Sequence, residues 1–215
     1  MKLANSVMLK TKNLTFSYNE KRTFDFPNLD VNRGEHMLIL GNSGKGKTTF
    51  LHLLAGFLKP QGGEVIINDT SLQSLSGFKN DQFRAQNIGV VFQVPHFIAS
   101  LTLMQNILWA QKLARQKPKP QKVATYLERL NLSHRANAPI QKLSQGELQR
   151  ASIIRGIIND PTLVLADEPT SSLDDDNCTE VIKILEEQTD LVGAALVVVT
   201  HDQRIKDFFT NSIML

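Results

Sequence analysis

The sequence predicts an α/β fold built on a mostly parallel sheet, and three observations support this prediction. Short apolar runs typical of buried strands alternate with helix-like segments on either side of a central helical region. A glycine-rich turn joins one apolar run to an apolar-periodic segment within residues 36–54. The chain has 215 residues, 41% of them hydrophobic, which is enough for one large core. Strands that alternate with helices imply a parallel sheet covered on both faces.

The first part of the chain is predicted to be rich in strands. Residues 7–18 and 23–31 alternate apolar and polar side chains, and a buried-type strand covers residues 36–40. The helix after the glycine-rich turn is predicted to begin at Thr48 and to end near Leu58, because Pro60, Gly62 and Gly63 follow. Short strands are predicted at residues 64–68 and 88–92.

The remainder of the chain is predicted to be helical first and then α/β again. Apolar residues recur with helical spacing from about residue 100 to 147. Helices are then predicted at 148–158, 177–188 and 203–209, with strands at 163–165, 195–200 and 212–215. We therefore expect one domain over residues 1–215, with a core of 1–94 and 148–215. A helical subdomain of about 95–147 interrupts that core.

The glycine-rich turn matches the phosphate-binding pattern G-x-x-x-x-G-K-[ST]. Its sequence is Gly41-Asn42-Ser43-Gly44-Lys45-Gly46-Lys47-Thr48, followed by Thr49. Glycines let successive backbone N–H groups converge on one anion, and the helix N-terminus favours the same negative charge. The lysine of the motif is expected to contact the β- and γ-phosphates, and the threonine hydroxyl to bind Mg²⁺. The alternative, an incidental lysine in a glycine-rich turn, leaves the flanking strand and helix unexplained. The sequence therefore predicts a nucleoside triphosphate site.

A second candidate group of residues follows the apolar run at 163–166, where Asp167 and Glu168 stand at the end of a predicted buried strand. Open α/β sheets bind ligands at the carboxyl ends of their strands, so Asp167 is expected in the Mg²⁺ shell. Glu168 is expected to polarise a water molecule for in-line attack on the γ-phosphorus. Alone, two carboxylates that begin a surface loop would be an equally good interpretation.

Composition excludes several classes of protein and leaves one charge run to interpret. The formal net charge is +3, and the single cysteine, Cys178, excludes an intramolecular disulfide. Residues 1–14 contain no apolar core of the length that a signal peptide needs, and no apolar run is long enough to span a membrane. Basic residues within 112–122 are not interleaved with aromatic residues. A solvated helix end explains them better than a nucleic-acid patch, so we expect no nucleic-acid partner.

These motifs, in this order, resemble the nucleotide-binding subunit of ATP-binding-cassette (ABC) transporters over nearly the whole chain. The stretch Leu143-Ser144-Gln145-Gly146-Glu147 resembles the family signature, and residues 171–174 resemble the loop that contacts a second subunit. The resemblance implies a P-loop NTPase core of the RecA-like type. It also implies an N-terminal antiparallel β subdomain and an inserted helical subdomain that includes the signature.

The resemblance also implies roles for residues outside the phosphate loop. Tyr18 is expected to stack on adenine, although a strand aromatic packed in the core is the simpler interpretation of this residue alone. Gln93 is expected to contact the metal ion and the attacking water. His201, otherwise interpretable as a capping or surface histidine, is expected to hydrogen-bond the γ-phosphate. Ser144 and Gly146 are expected to bind ATP held by another subunit.

An ATP-driven dimer follows from the resemblance, because one subunit's signature closes over the ATP bound by the phosphate loop of its partner. We therefore expect a second cassette subunit, forming a homodimer, and transmembrane permease subunits, with the chain on the cytoplasmic face of the membrane. Two positions depart from the usual signature: Gln145 replaces a glycine and Glu147 replaces a glutamine. A positive φ at Gln145 would weaken the contact with ATP.

The loop at residues 94–107 resembles that of the lipoprotein-releasing and macrolide-export branch, with Leu101, Thr102, Asn106 and Ile107 matching and Ala99 in place of a proline. Phe97 and Ile98 are expected either to contact the permease or to pack within the helical subdomain. The predicted function is ATP hydrolysis that powers a separate permease. A cassette that signals through a membrane partner without transporting anything is the alternative.

Overall fold

The computed structural model describes residues 7–19, 22–171 and 173–215. The strands are β1 (Val7–Asn19), β2 (Arg22–Asp25), β3 (Asp30–Asn32), β4 (His36–Leu40), β5 (Gly62–Ile67), β6 (Thr70–Ser71), β7 (Ile88–Val91), β8 (Leu163–Asp167), β9 (Ala195–Thr200) and β10 (Asn211–Met214). The α-helices are α1 (Lys47–Leu54), α2 (Gly77–Asn87), α3 (Leu103–Leu113), α4 (Pro120–Arg129), α5 (Gln145–Ile157) and α6 (Asp175–Val192). Short 3₁₀ helices cover Leu72–Ser74, Ser133–Arg135, Ile140–Lys142 and Gln203–Phe208.

The parallel sheet has the strand order β10-β4-β9-β8-β7, and all its neighbouring pairs are parallel. Its central strands are buried on both faces, as their continuous apolar sequences predict. Side chains alternate between the two faces: Leu38 and Leu40 pack with the helices α3 to α6, whereas Met37 and Ile39 pack with α1. The phosphate loop leaves this sheet at the carboxyl end of β4.

The second sheet is antiparallel and lies on the other side of α1. Its order is β2-β1-β5-β6, with β3 also paired to β1. Leu9, Val31 and Ile67 from this sheet join Phe50 and Leu54 of α1 in one buried cluster. The predicted α/β fold, with a mostly parallel sheet and an N-terminal antiparallel sheet, is therefore confirmed.

Several predicted element boundaries were wrong. The strand predicted at 23–31 is divided into β2 and β3, because Pro27 occupies the segment between them and cannot donate to a ladder. The helix predicted to reach Leu58 ends at Leu54, and Gly56 has φ +67°. Helix α2 was not predicted, and none of its residues is buried, so it lacks an apolar stripe.

The central helical region consists of α3, α4 and the first turns of α5. Val123, Tyr126 and Leu127 of α4 are buried against Leu103 and Ile107 of α3. Helix α5 begins at Gln145, so the predicted boundary between residues 147 and 148 falls inside this helix. In the described parts of the chain, every helix is too short or too polar to cross a bilayer.

Candidate nucleotide-binding and hydrolysis site

The phosphate loop has the backbone that its glycines allow. Gly44 and Gly46 have φ values of +78° and +95°. A Cβ atom at Gly46 would lie 2.7 Å from a ring carbon of Phe24, so only glycine fits this position. Among the described residues, no side chain caps the first turn of α1 through a hydrogen bond. The first N–H groups of α1 therefore have no side-chain cap that would compete with an anion bound at the loop.

Lys47 is buried, and its ammonium group lies at the centre of the loop. Its Nζ donates to the carbonyl oxygens of Gly41 at 2.8 Å and of Asn42 at 3.3 Å. The same Nζ lies 3.3 Å from Glu168 Oε1. A buried cation between backbone carbonyls and a carboxylate is fixed in place and provides a local positive charge for phosphate.

Thr48 and Asp167 meet at the carboxyl end of β8. The Thr48 hydroxyl donates to Asp167 Oδ1 at 3.3 Å, and Asp167 is only 4% exposed. Burial raises the pKa of Asp167, although the hydrogen bond from Thr48 opposes this effect. Two oxygen ligands so close to each other can share one cation, and hard oxygen ligands are those Mg²⁺ prefers.

Glu168 is the most extensively constrained acidic residue of the site. Its Oε2 accepts from the Thr200 hydroxyl at 2.6 Å and from the His201 backbone N–H at 3.2 Å. Burial favours a higher pKa for Glu168, but hydrogen bonds from His201 and Thr200 outweigh it, so the pKa is lowered overall. The carboxylate is therefore ionised at neutral pH and can accept a proton. The residue also has φ +46°, a left-handed conformation unusual for glutamate.

His201 follows β9 directly and lies beside Glu168. Its Nδ1 is 2.9 Å from Glu168 Oε1, and its side chain is 52% exposed. The Nδ1 contact orients the ring, so the other ring nitrogen remains available to a ligand.

An open cavity of about 520 Å³ brings most of the predicted site residues together. The residues that line it are Tyr18, Phe24, Ser43, Gly44, Gly46, Lys47, Thr48, Thr49, Gln93, Glu168 and His201. Of the other phosphate-loop residues, Gly41 is buried and donates its N–H to the Thr200 carbonyl at 3.2 Å. Asn42 and Lys45 are exposed.

Tyr18 lies at the rim of this cavity rather than in the core. Its side chain is 63% exposed, and its hydroxyl is 3.1 Å from Thr49 Oγ1. The ring packs edge-on against Phe16 and Phe24, with centroid distances of 4.8 Å and 6.5 Å. This exposure distinguishes it from the buried strand aromatic that was the alternative interpretation. An exposed aromatic ring beside a phosphate site is suited to stacking on a base.

Gln93 is exposed two residues after β7, and its Nε2 donates to Ser171 Oγ at 3.2 Å. It thus links the cavity to the predicted dimer-contact loop, residues 171–174. Ser172 of that loop lies outside the described residues.

The signature residues lie at the start of α5. Ser144 caps this helix and accepts from the Glu147 N–H, while Glu147 Oε2 accepts from the Ser144 N–H at 2.7 Å. Arg135 Nε donates to Glu147 Oε1 at 2.8 Å, and this bond is the main cause of a Glu147 pKa of about 2. Gln145 is the first helical residue and is not among the described residues with positive φ. Gln145 therefore does not have the positive φ that would weaken the contact of the signature with ATP.

The structure adds functional neighbours that the sequence analysis missed. Phe24 lines the cavity, and Thr200 donates to Glu168. Asp202 and Arg204 connect the segment after His201 to residues 170–175. Their position at the carboxyl end of a buried strand was the available signal for Thr200 and Asp202.

A phosphate loop, a buried acidic pair at the carboxyl end of β8 and a histidine after β9 define an ATP-hydrolysing cassette. The family described as ABC transporter matches residues 24–171 of this chain. The chain therefore belongs to the ABC transporter family, and it is the ATP-hydrolysing subunit of such a transporter. Complexes of this family include membrane subunits.

Individual relatives agree with this assignment. The lipoprotein-releasing system ATP-binding protein LolD of Saccharophagus degradans is 36% identical over 177 residues, which is 81% of this chain and 78% of that protein. The ATP-binding cassette MJ0796, solved as a dimer in a post-hydrolysis state bound to ADP and Pi, is 30% identical. Its TM-score is 0.87 over 97% of this chain and 94% of MJ0796. CbiO1 from Clostridium perfringens, part of the complex cbiONQ, has 26% identity and a TM-score of 0.85, covering 97% and 84% of the chains.

Proposed function

We propose that this chain is the ATPase of a lipoprotein-releasing type transporter, working as a homodimer on the cytoplasmic face of a membrane. The observation that carries the proposal is the similarity to LolD, which extends over most of both proteins. The loop at 94–107, matched to this branch by sequence, supports it. Asn106 holds that loop by bonding both the N–H and the carbonyl of Ile98, at 2.8 Å and 3.1 Å.

In the proposed reaction, Glu168 accepts a proton from the water that attacks the γ-phosphorus. The products are ADP, inorganic phosphate and the proton held by Glu168. Lys47, 3.3 Å from that carboxylate, binds the phosphate oxygens and opposes the charge that develops on them. His201 is oriented by Glu168, so its ring is positioned to donate to the transferred phosphoryl group. Tyr18 stacks on the adenine ring of the nucleotide in this proposal.

Mg²⁺ fits the donor set of this site. Thr48 and Asp167 would hold it, with Gln93 at the edge of the same cavity. When bound, Mg²⁺ neutralises charge on the β- and γ-phosphate oxygens.

A second subunit is part of the proposal, because the lining of the cavity contains none of the described residues 143–147. Ser144 and Gly146 begin α5 and face an anion only if another cassette supplies it. The dimeric structure of MJ0796 supports a twofold pair in which each signature completes the partner's site. Hydrolysis then removes the bonds that join the two subunits.

A groove between α2 and α3, also about 520 Å³, is the proposed contact with the permease. It contains the exposed side chain of Phe78 and part of Phe57. Arg84 stacks over Phe57 at 4.6 Å, and Arg115 stacks over Phe78 at 4.7 Å. Nearby, Phe97 is partly buried against the core, which fits packing within the helical subdomain. Ile98 is 42% exposed, which fits contact with the permease.

Replacing Glu168 by Gln tests the ATPase part of the proposal. Because Gln cannot accept the proton, ATP binding should persist while turnover falls at least about 1,000-fold. ATP should then trap a dimer, measured by size-exclusion chromatography with light scattering. Hydrolysis at the wild-type rate would remove Glu168 as the base, and an ATP-bound monomer would contradict the dimer.

The transported substrate requires a separate measurement on the complex with the membrane subunits in proteoliposomes. A lipidated protein should stimulate ATP hydrolysis, whereas the same protein with its lipidated cysteine replaced by serine should not. Stimulation by a macrolide alone would assign the chain to drug export. An ATPase rate insensitive to both would contradict transport of either substrate.

A further inference from the structure

Arg204 lies three residues after His201, in the 3₁₀ helix that follows β9. Its guanidinium donates to both carboxylate oxygens of Asp202, with Nε 2.9 Å from Oδ1 and Nη2 2.7 Å from Oδ2. Nη1 also donates to Asp175 Oδ1 at 2.6 Å and to the Leu173 carbonyl at 3.3 Å. One side chain thus joins the segment after β9 to the loop and helix start that follow β8.

Asp202 is the buried partner of this arrangement and is 9% exposed. Its Oδ2 also accepts from the Thr170 hydroxyl at 2.9 Å. Hydrogen bonds from Arg204 are the main cause of an Asp202 pKa of about 2, so the carboxylate is ionised at neutral pH. Charge-assisted bonds of this kind are stronger than neutral ones.

The connection continues to the carboxylate that accepts the proton. The Asp202 backbone N–H donates to Thr200 Oγ1 at 3.0 Å, which leaves the Thr200 hydroxyl hydrogen to donate to Glu168 Oε2 at 2.6 Å. Ser171 N–H in turn donates to the Glu168 carbonyl at 3.2 Å. Residues 200–204 are therefore bonded both to Glu168 and to the stretch 173–175.

We propose that Arg204 is a positioning residue that fixes Leu173 and Asp174, the described end of the dimer-contact loop, in register with Glu168 and His201. The inference rests on the proposed dimer, because only a partner subunit gives that loop a surface to contact. Arg204 contacts no reacting atom. It acts by holding the Leu173 carbonyl and the start of α6 where the loop meets the partner.

Arginine is required for this role because its planar fork reaches several acceptors at once. A lysine at position 204 keeps the charge and can pair with Asp202. Its one nitrogen carries three N–H donors, which are too few to reproduce the paired bonds from Nε and Nη2 to Asp202 together with those from Nη1 to Asp175 and the Leu173 carbonyl. We therefore expect Arg204→Lys to be intermediate between wild type and Arg204→Gln.

Cys178 provides a built-in reporter for this arrangement and is the sole cysteine of the chain. It is 2% exposed, and its Sγ lies 3.8 Å from Asp202 Oδ2. Burial raises the pKa of its thiol, which further lowers its reactivity. Release of the loop from Arg204 would expose this thiol to a disulfide reagent such as 5,5′-dithiobis(2-nitrobenzoic acid).

The experiment compares wild type, Arg204→Gln and Arg204→Lys for ATPase kinetics and for the rate of Cys178 labelling. Arg204→Gln should lower kcat about tenfold with less than about twofold change in KM, and should accelerate labelling about tenfold. The control Arg129→Gln removes an arginine whose guanidinium lies over Tyr126 and which does not line the nucleotide cavity, so it should change neither quantity. Thermal melting identifies any variant that has lost its fold.

Wild-type kcat together with wild-type labelling in Arg204→Gln would overturn the inference. If that variant does not fold, wild-type values in Arg204→Lys would do the same. An equal loss of ATP binding and kcat would also overturn it, because the defect would then lie in nucleotide binding. Failure of Glu168→Gln to form an ATP-dependent dimer would instead contradict the proposed dimer, whatever Arg204 does.

Discussion

Helices α1 and α5 both begin beside glycine-containing motifs, but only the first turn of α5 is capped by a side chain of its own chain. The N-cap of α1 is Gly46, and no described side chain caps it through a hydrogen bond. The N-cap of α5 is Ser144, which exchanges hydrogen bonds with Glu147 in a capping box. The first N–H groups of α1 are therefore suited to an external anion, whereas α5 already has hydrogen-bond acceptors for its first turn within the same chain.

The charges near the two helix starts sharpen this contrast. Lys47 lies within the loop at α1, whereas α5 has the carboxylate of Glu147 in its first turn, paired with Arg135 at 2.8 Å. A carboxylate there stabilises the helix and competes with any other anion for its dipole. We infer that affinity for nucleotide resides at α1 and that α5 contributes only when a second subunit closes on it.

The largest expected effect comes from Lys47→Ala, which removes the cation at α1. The loss of a buried charge contact of about 2–4 kcal/mol should weaken ATP binding roughly 30- to 1,000-fold. Lys59→Ala is the matched control, because Lys59 is exposed and lies outside the phosphate loop. Equilibrium dialysis that shows equal affinities for both variants would contradict the assignment of the loop.

An intermediate effect is expected on stability from Glu147→Gln, which keeps a side chain able to cap Ser144 but loses the ionic bond to Arg135. The pKa of Glu147 is about 2 in the fold, against an ordinary value of 4.5. A lowered pKa gives a stabilisation that is complete above about pH 4.5 and is lost as the pH falls toward 2. At neutral pH the variant should melt about 2–4 °C lower, and this difference should shrink at pH 3. A difference that is constant with pH would exclude the ionic contribution.

The smallest effect is expected from Gln145→Gly, which restores the usual residue of the signature. Because Gln145 is helical and not among the described residues with positive φ, glycine relieves no strain. The ATPase rate of the assembled complex should change less than about twofold. A large increase would indicate that the Gln145 side chain, rather than its backbone, obstructs closure on ATP.

Sequence patterns predicted those parts of the structure that are determined by residues close together in the sequence. The phosphate loop, the buried strand that ends at Asp167 and the polar residues after β9 could be recognised from apolar runs and motif spacing. Helix α2 could not, because none of its residues is buried and no apolar periodicity marks it. The bonds from Thr200 to Glu168 and from Arg204 to Asp175 join residues about 30 positions apart, and only the strand order brings them together.

The left-handed backbone at Glu168 opposes the side chain that the proposed hydrolysis mechanism needs there. A glutamate at φ +46° costs of order 1 kcal/mol or more, whereas asparagine and glycine adopt this conformation readily. Under the proposed mechanism, selection for hydrolysis maintains Glu168 against the local backbone preference of the chain. In a lineage that keeps the cassette only for nucleotide-gated assembly, this position is where we expect drift to asparagine or glycine first.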